Sequence, residues 1–163
     1  MMRTEFGVPR STCGCGDCRT NCQFMPGFLI PEDLHRIIPN NVEPFMWAES
    51  NLLASPGALV QKDGERFRIP TLVPAVKSDG SCINLTNAGA CGIHAVAPFG
   101  CAFFSCVPEV PGLSAAGIWS IYTKPPEHLY HRLWCHLDGF GYRQERAEVL
   151  RARMTDFMIR KET

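Results

Sequence analysis

The strongest constraint on how this chain folds is a run of thiols near its start. Residues Thr12–Cys22 read T-C-G-C-G-D-C-R-T-N-C and place Cys13, Cys15, Cys18 and Cys22 in one short, glycine-punctuated loop. A second group follows much later, at Cys82, Cys91, Cys101 and Cys106, with Cys135 standing apart. Closely spaced thiols on small glycine-rich loops are how a chain wraps a metal ion or an iron–sulfur cluster. The expectation is that the second group folds back to complete a coordination shell begun by the first.

Disulfides are the competing use of thiols. The count of nine is odd, and a C-x-C pair such as Cys13/Cys15 is too close in the chain for easy mutual bridging. The N-terminal stretch M-M-R-T-E-F-G-V-P-R holds no apolar run of signal-peptide length. Nor does any stretch approach the roughly 18 apolar residues that a membrane span needs. The expected compartment is therefore a reducing cytoplasm, where thiols persist. Formal net charge is zero, with no Lys/Arg block, which argues against general nucleic-acid binding through clustered cations. Thiolate-only ligand sets suit zinc and iron–sulfur clusters and suit magnesium or calcium poorly.

At 163 residues the chain is long enough for one domain with a core and cramped for two. Met1–Arg10 reads as a loose lead-in. Pro31-Glu32-Asp33 opens a helix to Ile38, since proline suits the first helical position and carboxylates suit the positive end of the dipole. In that reading the acids have no role beyond the cap, and Leu34, Ile37 and Ile38 face the core. A second helix is expected over Glu43–Leu53, ended by Ser55-Pro56-Gly57. The runs A-L-V-Q and R-F-R-I-P-T-L-V-P then predict a hairpin around Asp63-Gly64. Pro70 makes its second strand an edge or bulged one.

Beyond the hairpin, Ser78–Ser81, Asn87–Ala90 and Pro98–Gly100 are turn signals, each followed by a cysteine. Val107–Ser114 is a Pro-rich connector, and Gly117–Tyr122 fits either a short strand or a helical turn. Pro126–Asp138 reads as a helix stopped by Gly139. Tyr142–Lys161 reads as another, with Val149, Leu150, Met154, Phe157 and Met158 as its apolar stripe.

The expected metal ligands are Cys13, Cys15, Cys18, Cys22, Cys82, Cys91 and Cys101. Cys106, in F-F-S-C-V, also fits an ordinary buried thiol, and Cys135, in L-W-C-H-L, fits the core better than a ligand role. His94, close after Cys91, fits either a ligand or a structural residue. His128, His131 and Cys135 share a helical face, while His131 and His136 equally suit an exposed surface. Phosphate-binding glycine loops, nucleophile elbows and paired carboxylates are absent from the sequence.

Taken together, C-G-C-G-D-C-R-T-N-C, P-G-F-L-I-P-E-D-L, D-G-S-C-I-N-L and G-A-C-G-I-H-A-V-A-P-F-G-C resemble the YkgJ-like proteins. These are also called the CxxCxxCC family, or zinc- or iron-chelating domain proteins. The resemblance runs from Thr12 to Phe104 and leaves the C-terminal third outside. The family's leading Cys pair falls on Cys15 and Cys18, and its closing Cys-Cys on Asn21 and Cys22. One thiol of that closing pair is thus missing, with Cys13 as an extra one upstream. Its next step matches Gly80–Leu85, with Cys82 as ligand, and its last matches Cys91–Ala102. Two arginines of that last step are absent, since Ala97 precedes Pro98 and Ala102 follows Cys101. The resemblance implies metal or cluster binding. One class of relatives, the flagellin lysine methylases, joins such a domain to S-adenosylmethionine chemistry.

These readings predict a small irregular α+β domain with a short hairpin or sheet, several helices and a Cys-lined metal site between loops. Residues 1–11 form the lead-in, 12–106 the Cys-rich core, and 107–163 a helical extension packed on it. The expected function is metal binding in the cytoplasm, with an iron–sulfur cluster slightly favoured over zinc. Phe24, Phe99, Phe103 and Phe104 would shield the cluster. The alternatives are a cluster-dependent enzyme with an open iron site and a zinc-stapled interaction module. In the latter, the Tyr142–Lys161 helix would meet a protein partner or a second copy.

Overall fold

The computed structural model describes residues 2–3, 8–9, 16–103, 112–145, 149, 152 and 155–156. Among these the chain is a small α+β domain built on one long antiparallel hairpin. The lead-in contains a two-residue ribbon, β1 (Met2–Arg3) against β2 (Val8–Pro9), where a loose segment was expected. The Cys-rich stretch turns helical at Gly16: α1 covers Gly16–Phe24, so Cys18 and Cys22 lie one helical turn apart and not in a loop. A 3-10 turn, Pro31–Asp33, leads into α2 (Leu34–Ile37), as the proline and the acids predicted. Leu34 is buried, with Ile37 and Ile38 packed against the same core.

Helix α3 (Pro44–Asn51) is capped by the Glu43 carboxylate, which accepts from the Met46 N–H at 2.8 Å. It stops two residues earlier than expected. Leu52 and Leu53 already belong to β3 (Leu52–Lys62), paired with β4 (Glu65–Pro74). The turn is Asp63 (φ 52°) and Gly64 (φ 82°), the pair of positive φ values a two-residue hairpin of the favoured twist requires. Ser55-Pro56-Gly57 does not end a helix; it bulges the strand, because pairing jumps from Ser55↔Thr71 to Ala58↔Ile69. Pro70, which donates no hydrogen bond, sits opposite that bulge. Gly57 has φ 101°, and a Cβ there would lie 2.0 Å from the Ile69 oxygen.

The hairpin base is widened on both edges. Leu29 bridges Leu72, Leu72 pairs with Ala54, and Ala54 bridges Arg143, which makes one row four strands wide. Helices α5 (Leu113–Tyr122) and α6 (Leu129–Gly139) cover it. Tyr130, Leu133 and Leu137 recur at helical spacing and are wholly buried together with Leu29, Leu72 and Ile121. The Tyr130 hydroxyl donates to the Leu29 carbonyl at 2.6 Å and accepts from the Leu72 N–H at 2.8 Å, so it closes a gap in the widened sheet. The Trp134 indole N–H reaches the Ser55 carbonyl at 2.8 Å, tying α6 to the bulge.

Gly117–Tyr122 is helical, part of α5. The last expected helix does not begin at Tyr142: Tyr142–Glu145 is not helical and runs beside β3, where Ala54 N–H donates to the Tyr142 carbonyl at 2.8 Å. Val149, Ala152, Thr155 and Asp156 are helical, while Leu150, Met154, Phe157 and Met158 lie outside the described residues. Among the described residues no helix is long and apolar enough to cross a membrane.

Candidate metal centre

Cys82 and Cys91, the first two thiols of the second group, are delivered by a repeat. After β4, Lys77–Leu85 (K-S-D-G-S-C-I-N-L) and Thr86–His94 (T-N-A-G-A-C-G-I-H) fold alike with a nine-residue offset. In the first unit Lys77 N–H donates to the Ser81 carbonyl at 2.7 Å, and in the second Thr86 N–H donates to Ala90 at 2.8 Å. Gly80 (φ 83°) and Gly89 (φ 74°) take equivalent left-handed positions. Cys82 then bridges Val76, and Cys91 bridges Leu85. Each cysteine carbonyl starts a further turn, accepting from Leu85 N–H at 2.9 Å and from His94 N–H at 3.3 Å. The two tight turns expected before Cys82 and Cys91 are present.

Cys101 arrives differently. Pro98-Phe99-Gly100 is not a free turn, since α4 (Phe99–Ala102) begins there and carries Cys101 in a helical turn. That turn is held from two sides. Gly27 and Gly100 pack backbone to backbone, so a Cβ on Gly27 would lie 2.2 Å from the Gly100 carbonyl carbon. Gly100 N–H donates to the Phe28 carbonyl at 2.8 Å. On the other side Asp33, wholly buried, accepts from Phe99 N–H at 2.7 Å and from Ile30 N–H at 2.9 Å. Asp33 is therefore more than a helix cap: its carboxylate joins the start of α2 to the segment that positions Cys101.

Three parts of the chain carry the four described candidate ligands: Cys22 on α1, Cys82 and Cys91 on the repeat, and Cys101 on α4. Cys82 N–H donates to the Cys22 carbonyl at 2.7 Å. Burial pushes the Cys22 thiol up, and the neighbouring sulfurs of Cys82 and Cys91 add to it. Burial is also the main cause at Cys82, where Cys91 adds to the rise while N–H groups of Asn84 and the Lys77 ammonium oppose it. Cys101 is pushed furthest, by burial first; the Gly27 N–H opposes, and Cys82, Cys22 and Cys91 add to the rise. Its sulfur accepts the Gly27 N–H at 3.2 Å, beside the Gly27–Gly100 contact. N–H donors aimed at sulfur are the outer support that stabilises thiolate ligands. Among the described residues, no three His, Cys, Asp or Glu side chains are gathered closely enough to hold a metal ion as they stand. The cysteines described, Cys22, Cys82, Cys91, Cys101 and Cys135, are unbridged.

Cys13, Cys15, Cys106 and Phe104 lie outside the described residues, and of Cys18 only the place of its backbone in α1 is described. Cys135, expected in the core, is exposed on α6. His128 is the N-cap of α6, its Nδ1 accepting from Tyr130 N–H at 3.1 Å, and His94 is exposed at the start of a 3-10 turn, His94–Val96. His136 is not a bare surface residue: it contacts Glu49 Oε1 at 2.8 Å and packs against Phe45 and Phe140. Phe99 and Phe103 stack at 4.9 Å beside Ile30 and Leu113, next to α4. Sequence reading missed Gly27, Lys77, Asn84 and Asp33. The nine-residue spacing of Cys82 and Cys91, each two residues after a turn glycine, is a signal that leads to Lys77 and Asn84.

No family model, curated protein or solved structure matches this chain.

Proposed function

We propose that this protein binds a metal centre through the thiolates of Cys22, Cys82, Cys91 and Cys101, with Cys13, Cys15 and Cys18 as the further candidates the sequence supplies. The observation that supports it most is that four thiols from three segments lie within electrostatic reach of one another, two of them with backbone N–H donors to sulfur. Buried thiols that raise one another's pKa have no mutual stabilisation as apo groups. A cation bound in exchange for their protons would supply it. The same donor set and the YkgJ-like resemblance support an iron–sulfur cluster, and the Phe99–Phe103 stack supports shielding of it.

The test is iron, zinc and acid-labile sulfide content with visible absorption, on protein purified without oxygen. Iron with equimolar sulfide and a broad band in the blue is the expected result. Zinc in a colourless protein would keep the thiolate site and replace the cluster with a structural ion. Cys82→Ser and Cys91→Ser should each lose most of the bound metal; full occupancy in both would overturn the site.

A further inference from the structure

The geometry points to a second site beside the thiols, a cavity of about 310 Å³ that takes a small organic monocarboxylate with an apolar or aromatic body. It lies where the end of α1, the hairpin base, the first repeat unit and the strand after α6 meet. Its volume is at the small end of ligand pockets, roughly 300–1,000 Å³. Phe24, Leu53, Pro74 and Val76 give it an apolar wall, and Lys77 and Arg143 are the basic residues of its lining.

Both cations are held in place. The Lys77 ammonium donates to the Leu85 carbonyl. Arg143 Nε donates to Asp138 Oδ1 at 2.6 Å, while its backbone is fixed in the bridge to Ala54. A guanidinium bound through Nε has terminal nitrogens that can take a second bidentate partner, carboxylate or phosphate alike. Glu145 lines the same cavity, and with the partly exposed Asp138 it offsets part of the positive charge. A dianion or polyphosphate therefore gains little there, and the apolar wall favours a carbon skeleton over an inorganic ion. The inference does not rest on the metal reading, since none of these lining groups is a thiol.

The probe is benzoate, titrated into isotope-labelled protein as purified and followed by amide chemical shifts, with metal content measured on the same sample. Saturable binding near about 1 mM is expected, as for a fragment of this size, with shifts at Val76–Gly80 and Arg143–Glu145. Benzyl alcohol should bind about tenfold more weakly. Arg143→Gln should weaken benzoate by a similar factor and leave benzyl alcohol unchanged. Val76→Trp, which fills the cavity, should abolish both and guards against a misfolded Arg143→Gln protein. Equal binding of benzoate and benzyl alcohol, equal binding of inorganic phosphate, or shifts confined to another surface would each overturn the proposal. Benzoate binding in a protein without metal would leave this site standing and remove only the metal reading.

Discussion

The hairpin with its covering helices and the loops that carry the thiols are held together by different forces. Around the hairpin, Leu29, Leu52, Leu72, Ile121, Tyr130, Leu133 and Leu137 are almost wholly buried in one continuous cluster. Hydrophobic burial of that kind is self-supporting. From Val76 to Cys101, by contrast, few large side chains are buried. The chain is shaped by short turn bonds, two left-handed glycines and contacts to α1, Gly27 and Asp33. A segment with few buried apolar contacts opens locally at low cost. The comparison teaches that the first region is stable by packing, whereas the second depends on what ties its segments together.

The largest effect should come from breaking the first region. Leu133→Ala removes a fully buried side chain facing the hairpin and should cost about 3–4 kcal/mol in denaturant unfolding. A loss under about 1 kcal/mol would show that α6 is not part of the core that carries the fold.

Tyr130→Phe keeps the ring and deletes one oxygen. It leaves the Leu72 N–H and the Leu29 carbonyl, both buried, without that partner, so a cost of about 2–3 kcal/mol is expected. Unchanged stability would mean that the two strands close on each other directly.

Gly27→Ala sharpens the contrast, because it acts on the second region. Its Cβ meets Gly100 backbone at 2.2 Å, so α4 must shift, at about 1–3 kcal/mol. Hydrogen exchange should speed up at Pro98–Phe103 and metal content should fall, with amides of β3 and β4 still protected. Uniform loss of protection along the chain would erase the distinction between the regions.

The smallest effect is a pH dependence at His128. Burial, then the Lys124 ammonium and the neighbouring His131, hold its pKa below the ordinary histidine value, against a weaker pull from Glu32. Its neutral Nδ1 caps α6. The folded pKa is lowered, so the contribution is present above the unfolded value of about 6.5 and is lost as pH falls below it. His128→Asn keeps a capping acceptor without a proton to gain and should flatten stability between pH 7 and pH 5. An unchanged slope would place the dependence elsewhere.

Much of the local structure was legible in the residues. Asp63-Gly64 named the hairpin turn, Pro70 the irregular strand, and Pro31-Glu32-Asp33 the helix start, because each acts through its own backbone preference. The misreadings have the opposite cause. Leu52 and Leu53 look like the end of a helix until β4 is there to pair with them. Gly16–Phe24 looks like a loop because closely spaced glycines and cysteines suggest one, yet it folds as α1. Cys135 looks like core because its neighbours in sequence are, but the buried stripe of α6 passes through Tyr130, Leu133 and Leu137 instead.

By itself the sequence determined the turns, the hairpin and the set of thiols available, since these follow from φ preferences, periodicity and the inventory of sulfur along the chain. Only the tertiary structure decided that Cys82 N–H meets the Cys22 carbonyl and that Gly27 and Asp33 set the place of Cys101. It also decided that a cavity with Lys77 and Arg143 lies alongside. Those are distances between segments up to about a hundred residues apart, and no local preference encodes them; they are set by how the hairpin base packs.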